Sequence, residues 1–284
     1  MKTWNKRLVW IAAALLLAVI LWVIWGNTAL EVNSYVIQSN KIPKSFSGFR
    51  IVQVSDLHNA EFGEGNEQLL SLIQDQSPDI IVITGDLVDS RNTDIEIALE
   101  FVRGAVKIAP VYYVTGNHEA RITEYAELKN GLEQAGVTIL ENEKLKLERA
   151  GETITLMGVD DPSFRTDYLF GDAQTVTASV LDDLMDGNDG YTILLSHRPE
   201  LFTTYVACGV DLVFTGHAHG GQFRIPFVGG LVAPNQGFFP EYDAGLYTAE
   251  TTNMLVSRGV GNSMVPVRIN NRPELIVVQL ESTQ

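Results

Sequence analysis

The sequence predicts an α/β domain preceded by a single N-terminal transmembrane helix. Three observations carry this reading. Leu8 to Trp25 is an unbroken apolar run of 18 residues. Between residues 50 and 135, three apolar strand-like runs alternate with three amphipathic helical stretches. These strands and two later ones end in polar clusters that hold all five histidines of the chain.

As a helix, Leu8 to Trp25 spans about 27 Å, close to the bilayer core. Trp4, Trp10, Trp22 and Trp25 suit the two interfacial belts. Lys2, Lys6 and Arg7 precede the run, and the next basic residue is Lys41. The positive-inside rule therefore predicts a single-pass protein with a cytoplasmic N-terminus and its main domain on the outer side of the cell membrane. A cleaved signal peptide is the alternative. Against it, the run is long for a signal core and ends Val23-Ile24-Trp25-Gly26-Asn27, without a small-x-small site.

Glu31 to Gln38 alternates loosely and reads as an entry strand, followed by the turn-rich Lys41–Gly48. Arg50 to Ser55, Asp79 to Thr84 and Pro110 to Thr115 read as buried strands. Gln68 to Gln76, Asp94 to Lys107 and Ile122 to Ala135 read as the helices that follow them, the last closed by Gly136. The alternation predicts a sheet of parallel character with both faces covered. Lys144 to Glu148 and Thr153 to Val159 suggest a hairpin around Ala150-Gly151. Ala178 to Met185 and Leu201 to Ala207 read as short helices, and Tyr191 to Leu195 and Asp211 to Phe214 as strands. Leu246 to Glu250, Asn253 to Ser257 and Leu275 to Leu280 read as closing strands.

With 45% hydrophobic residues the chain can build a sizeable core. Its net charge is −15; Lys2, Lys6 and Arg7 lie before the apolar run, so the remainder carries 17 basic against 35 acidic residues. That balance excludes nucleic acid as the main partner. An anionic substrate would need local cations, and bound metals supply them. The single cysteine, Cys208, excludes an intrachain disulfide and reads as a buried apolar side chain.

The strand ends carry Asp56 and His58, Asp86, Asn117 and His118, His197, and His217 and His219. In open α/β sheets, sites form at the carboxyl ends of strands. Extended residues i and i+2 point the same way, so Asp56 and His58, and likewise His217 and His219, are expected to aim together. Singly, each residue has an ordinary reading as a cap, turn or core side chain. Jointly, imidazoles, carboxylates and one amide oxygen suit Zn, Mn or Fe, and there are enough of them for two divalent metal ions.

Asp56-Leu57-His58, Gly85-Asp86, Gly116-Asn117-His118-Glu119, His197 and Gly216-His217-Ala218-His219 resemble, in this order, the motifs of calcineurin-like metallophosphoesterases. The anchor, together with Val54-Ser55-Asp56-Leu57-His58 and Gly216-His217-Ala218-His219-Gly220-Gly221-Gln222, looks closest to the family's membrane-anchored bacterial branch, which includes enzymes acting on lipid-linked or nucleotide-sugar pyrophosphates. The resemblance implies a four-layer αββα sandwich. It also implies two metals, one on Asp56, His58 and His219, the other on Asn117, His197 and His217, with Asp86 bridging and His118 as general acid. Glu119 stands where Asp is common, and its implied task is to orient His118. The chain then divides into an anchor (1–26), a juxtamembrane segment with an entry strand (27–48) and a catalytic domain (49–284). The implied activity is hydrolysis of a phosphodiester or pyrophosphate, with a phosphate-ester substrate that is lipid-linked or a nucleotide-sugar. The alternatives are a phosphomonoesterase and a non-catalytic metal-binding scaffold.

Arg121, Arg165, Arg198 and Arg224 lie near the motifs, and Arg121 and Arg198 are the candidates for gripping a substrate phosphate. Phe223, Phe227, Phe238 and Phe239 offer an apolar lid, a membrane-facing patch or plain core.

Overall fold

A computed structural model describes residues 2–165, 172–262 and 265–284. Helix α1 (Lys2–Thr28) opens the chain, and Lys6–Thr28 is long and apolar enough to cross a membrane, with its window of side chains wholly unburied. After two intervening residues, β1 (Glu31–Ser39) begins. The junction is pinned: the Asn27 amide donates to Arg268 O (3.1 Å) and accepts from Arg268 N (2.7 Å). Arg272 donates to the carbonyls of Ala29 and Leu30, and its guanidinium lies over the Trp25 ring at 4.7 Å.

The globular part is built from two six-stranded sheets. In chain order its elements are β2 (Arg50–Val54), α2 (Glu67–Asp75), β3 (Ile80–Thr84), α3 (Ile95–Ala105), β4 (Val111–Val114), α4 (Tyr125–Ala135) and β5 (Thr138–Ile139). There follow β6 (Glu143–Arg149), β7 (Glu152–Gly158), α5 (Ala173–Met185), β8 (Thr192–Leu195), α6 (Phe202–Ala207) and β9 (Leu212–Thr215). Four two-residue strands come next: β10 (Arg224–Ile225), β11 (Gly229–Gly230), β12 (Val232–Ala233) and β13 (Gly237–Phe238). The chain closes with β14 (Gly245–Ala249), β15 (Thr252–Val256) and β16 (Glu274–Ser282).

The first sheet has the order β1-β16-β2-β3-β4-β5, with β2 to β5 mutually parallel. The second has the order β14-β15-β9-β8-β7-β6, with β15, β9, β8 and β7 parallel. Alternate side chains of each sheet face each other. Ile51, Val82 and Ile276 from the first meet Leu156, Ile193 and Phe214 from the second in one apolar layer. The outer face of the first sheet is covered by α2, α3 and α4, and that of the second by α5 and α6. This is the four-layer αββα sandwich that the resemblance implied. Buried Gln53 stitches the sheets together, donating to Thr84 Oγ1 (2.9 Å) and to Thr215 O (2.8 Å).

Local chemistry explains the boundaries. Asp94 caps α3 by accepting from Glu96 N, and Gly136 closes α4 at φ +94°. The β6–β7 hairpin turns at Ala150 and Gly151, both left-handed. Helix α4 starts three residues later than the periodicity predicts, because Ile122 is extended after a 3₁₀ turn at Glu119–Arg121. Helix α5 starts five residues earlier, capped by Asp172. The closing strands divide between the sheets, with β16 inserted between β1 and β2.

Leu156 is fully buried between the sheets. Leu156→Ala is therefore expected to cost about 2–5 kcal/mol, and exposed Glu148→Ala no more than about 0.5 kcal/mol. Urea unfolding of the full chain measures both.

Candidate metal centre

The parallel strands bring their carboxyl ends to one rim. Asp56 and His58 follow β2, Asp86 follows β3, and Asn117 and His118 follow β4. His197 follows β8, and His217 and His219 follow β9. All eight are buried. The first sheet thus contributes five of the eight and the second sheet three.

The Nε2 atoms of His58 and His219 face each other at 3.2 Å, with Asp56 Oδ1 at 3.8 and 3.4 Å. Asp86 Oδ2 lies 3.5 Å from His58 Nε2 and 3.2 Å from His197 Nε2, which is 3.1 Å from His217 Nδ1. Two sets result, Asp56/His58/His219 and Asp86/His197/His217, and a third, His58/Asp86/His118, overlaps them. Asp86 stands between.

The convergence does not come from extended backbone. Asp56, His58, Asp86, His217 and His219 all have left-handed φ, between +47° and +64°. Such residues cost of order 1–3 kcal/mol each and persist where the surroundings over-determine them. Asp56 N donates to Gly85 O and His58 N to Asp86 O, each at 3.0 Å. Close approach also excludes side chains: a Cβ on Gly116 would lie 2.2 Å from Asp86 Oδ1, and one on Gly216 1.9 Å from Ser55 Oγ.

Hydrogen bonds between these residues leave the cluster unsatisfied. His197 Nδ1 faces the carbonyl of Thr84 at 2.7 Å and so carries a proton. Its Nε2 lies 3.2 Å from the Asp86 carboxylate and 3.1 Å from His217 Nδ1, and without a metal it carries a second proton that Asp86 accepts. The Asn117 amide is satisfied when its nitrogen donates to His217 Nδ1 at 2.8 Å and its oxygen accepts from His118 N and Arg121 Nη1, each at 3.3 Å. The Nε2 atoms of His58 and His219 face each other at 3.2 Å and their Nδ1 atoms have no partner among the described residues, so a proton or a cation is required between the two rings. The electrostatics agree. Burial pushes His58 down to about 3 and holds His217 and His219 well below the usual imidazole range, so their lone pairs are free. Burial also disfavours the charged form of His197, but Asp86 outweighs it and lifts the ring to about 10. Burial raises Asp56 to about 6, whereas Asp86, although equally buried, is held low chiefly by His197. Four imidazoles, the Asp56 carboxylate and an amide oxygen around the shared Asp86 carboxylate fit a pair of borderline divalent ions.

A family model described as calcineurin-like phosphoesterase matches residues 49–221. The chain belongs to this family. It is similar to the metallophosphoesterase YkuE of Bacillus subtilis, at 29% identity over 89% of this chain and 86% of that one. It is likewise similar to the phosphodiesterase YaeI of Escherichia coli, at 29% identity over 82% of each chain. Among solved structures, TT1561 of Thermus thermophilus shares the fold, with a TM-score of 0.52 at 16% identity over 75% of this chain and 91% of that one. As a calcineurin-like phosphoesterase, the chain is a metal-dependent phosphoester hydrolase with a possible dimetal cluster.

The cluster opens into a cleft of about 340 Å³, lined by Asp86, Asn117, His118, Arg121, His217 and His219, with Ser90, Arg91 and Gln222 at its sides. Ser90 N donates to His118 Nδ1 at 3.0 Å, and Asp89 Oδ1 lies 3.7 Å from the same atom. The ring proton of His118 therefore sits on Nε2, and burial pushes the imidazole below its usual range. The sequence reading expected a protonated His118 oriented by Glu119. The structure places Ser90 and Asp89 against its ring instead. Glu119 is a bracket between loops: it accepts from Gly116 N (2.7 Å), Asp86 N (2.9 Å) and Val88 N (3.3 Å). Its extra methylene explains the reach from the β4 loop to the β3 loop.

Of the four arginines singled out, Arg121 lines the cleft. Arg198 is buried outside it and fully engaged, with Asp161, Ser163 and Glu200 as partners and a nitrogen 3.1 Å from His217 Nε2. It backs the cluster and does not face the cleft. Arg224 pairs with Asp243. No sequence signal marked Asp161, Ser90 or Arg91.

Gly116→Ala pushes a methyl into the Asp86 carboxylate. The expected outcome is loss of bound metal with secondary structure retained, read by elemental analysis and circular dichroism; full metal content would show that Asp86 can move aside.

Proposed function

We propose that the chain is a membrane-anchored, dinuclear-metal hydrolase of phosphodiester or pyrophosphate bonds, on lipid-linked or nucleotide-sugar substrates. The observation that carries the reading is the buried Asp86 carboxylate standing between two sets of buried imidazoles, His58 and His219 on one side and His197 and His217 on the other. In this reading Asp56, His58 and His219 hold one ion, and Asn117, His197 and His217 hold the other. Asp86 bridges, and Mn, Zn or Fe suits the donors. When bound, such ions polarise phosphoryl oxygens and acidify water.

The chain's own residues do the positioning. Ser55 Oγ donates to Asp56 Oδ2 (2.6 Å), and His118 N donates to Asp86 Oδ1 (2.8 Å), so both carboxylates are fixed before a substrate arrives. His118 keeps Nδ1 on Ser90 and offers Nε2–H to the leaving oxygen. Arg121, at the cleft wall, grips a phosphate oxygen. Arg198 holds His217 in place from behind. The E. coli relative's name, phosphodiesterase, supports the diester over the monoester. Helix α1 supports the anchor, and the basic residues before it support a cytoplasmic N-terminus with the catalytic domain on the outer side.

Two variants and one assay test this. Asp86→Asn is expected to release both ions; loss of one alone would mean that Asp86 does not bridge. His118→Ala is expected to keep both ions while lowering turnover about 10²–10³-fold on a diester with a poor leaving group; loss of an ion would place His118 among the ligands. The metal-loaded full chain is expected to cleave bis(p-nitrophenyl) phosphate faster than p-nitrophenyl phosphate. A folded, metal-loaded protein without activity on either ester would overturn the hydrolase reading.

A further inference from the structure

Outside α1, the described residues expose ten large apolar side chains, and eight of these cluster in two stretches, Ile225 to Phe239 and Val265 to Ile269. The first stretch carries two small hairpins, β10–β11 and β12–β13. Phe227 at the first turn is fully exposed, Val228 is 61% exposed, and Phe238 and Phe239 are 75% and 62% exposed. The two hairpins are joined by Leu231 N donating to Phe223 O (2.8 Å) and Phe239 N to Leu231 O (2.9 Å), and these side chains form a crest left exposed by the described residues. Single exposed apolar residues need no explanation, but a contiguous group marks a surface that meets something.

Three observations identify what it meets. First, the crest is joined to the outer end of α1. Arg224 N donates to Ile269 O (2.9 Å), and Phe223 bridges to Ile269. The adjoining Arg268 is locked to Asn27 by two hydrogen bonds. Residues 265–272 thus run from the hairpins to the last turn of the helix. Second, that last turn carries interfacial chemistry. Trp22 and Trp25 border a cavity of about 210 Å³ with Arg258, Arg268 and Arg272. Arg258 pairs with Glu31 and Glu274, whereas the bonds of Arg268 and Arg272 go to backbone carbonyls and the Asn262 amide. Tryptophans beside surplus guanidinium charge belong at headgroup depth. Third, the crest adjoins the metal cleft, whose wall includes Val232, Ala233, Pro234 and Val265.

We infer that the crest formed by Ile225, Phe227, Val228, Phe238 and Phe239 enters the interface of the same bilayer that α1 crosses, so that the metal cleft opens at headgroup level and takes phosphate esters carried by membrane lipids. This rests on the anchored-hydrolase reading and adds the surface that orients the domain on the membrane. Helix α1 alone fixes one point of the globular domain. The crest supplies a second, and two points hold the cleft mouth against the headgroups. The apolar wall then receives the lipid end of the substrate while its phosphate reaches the cluster.

The full chain with Cys208→Ala, reconstituted in phosphatidylcholine–phosphatidylglycerol vesicles, carries an environment-sensitive dye at Phe227→Cys, Leu17→Cys or Glu148→Cys. The expected result is a blue-shifted Phe227→Cys signal quenched by shallow acyl-chain nitroxides, a Leu17→Cys signal quenched by deep ones, and an unquenched Glu148→Cys signal. Quenching at Leu17→Cys but not at Phe227→Cys would overturn the crest and leave the anchor standing; no quenching at either would overturn both. In the same vesicles, Phe227→Ser with Phe238→Ser is expected to lower cleavage of a chromogenic diacylglycerol phosphodiester about tenfold or more, with cleavage of soluble bis(p-nitrophenyl) phosphate unchanged. Equal effects on the two esters would overturn the lipid preference. A wild-type chain that cleaves neither ester would overturn the hydrolase reading, while the quenching result still decides the crest.

Discussion

Asp86 is the residue on which the rest of the site depends. Its carboxylate is buried where the two sheets meet, within 3.5 Å of an imidazole from each. A buried carboxylate is costly unless charge and hydrogen bonds answer it. Here the answer comes from His118 N–H, from the imidazoles of both sheets and, in the proposed function, from the ions. The demand extends outward. Asp86 must take a left-handed φ to aim its side chain, and its own N–H is claimed by Glu119. Gly116 must lack a side chain so that Asp86 Oδ1 can approach the β4 loop. Glu119 is itself fully buried, and burial together with Asp86 raises it to about 7, although three backbone N–H groups bind it. One carboxylate in the middle thus determines the conformation of the loops after β3 and β4.

Much of this was legible before the fold. The strands leading into the cluster are short apolar runs, and the residues after them are polar in a fixed order, so the strand-end rule located the rim. What the sequence could not convey was the local conformation. Asp56 and His58 were expected to aim together because extended residues two apart share a face. They converge through two left-handed turns held by Gly85 O and Asp86 O instead. Left-handed non-glycine residues are favoured by tertiary contacts, not by their own propensity, so no sequence pattern announces them. The same holds for β16, whose apolar run fits the edge or the middle of either sheet; only three-dimensional packing inserts it between β1 and β2.

The arginines show a different limit. Proximity in sequence to a motif made Arg198 and Arg121 equal candidates for phosphate binding. The deciding fact is Asp161, 37 residues away, which draws Arg198 into a buried pair and turns it towards His217. A guanidinium committed to a carboxylate, a hydroxyl and an imidazole has no donor to spare for a substrate. Arg121, exposed on the 3₁₀ turn after His118, has no such carboxylate partner in this loop and lines the cleft. Charge counting along a chain cannot separate a cation that supports the site from one that serves it.

Strain in the cluster also bears on what holds it in place. Five left-handed residues at one rim would each relax if their loops were free. They are not free, because their backbone groups bond across the rim: Asp56 to the β3 loop, His217 N to Asp56, and Gly216 N to His197 O. Gln53 and Thr84 tie the sheets together directly beneath them. The donors are therefore preorganised by protein–protein bonds that need no ion. A site shaped this way exposes a fixed set of lone pairs and carboxylate oxygens, and the free energy of ion binding goes into relieving their mutual repulsion, not into folding the loops.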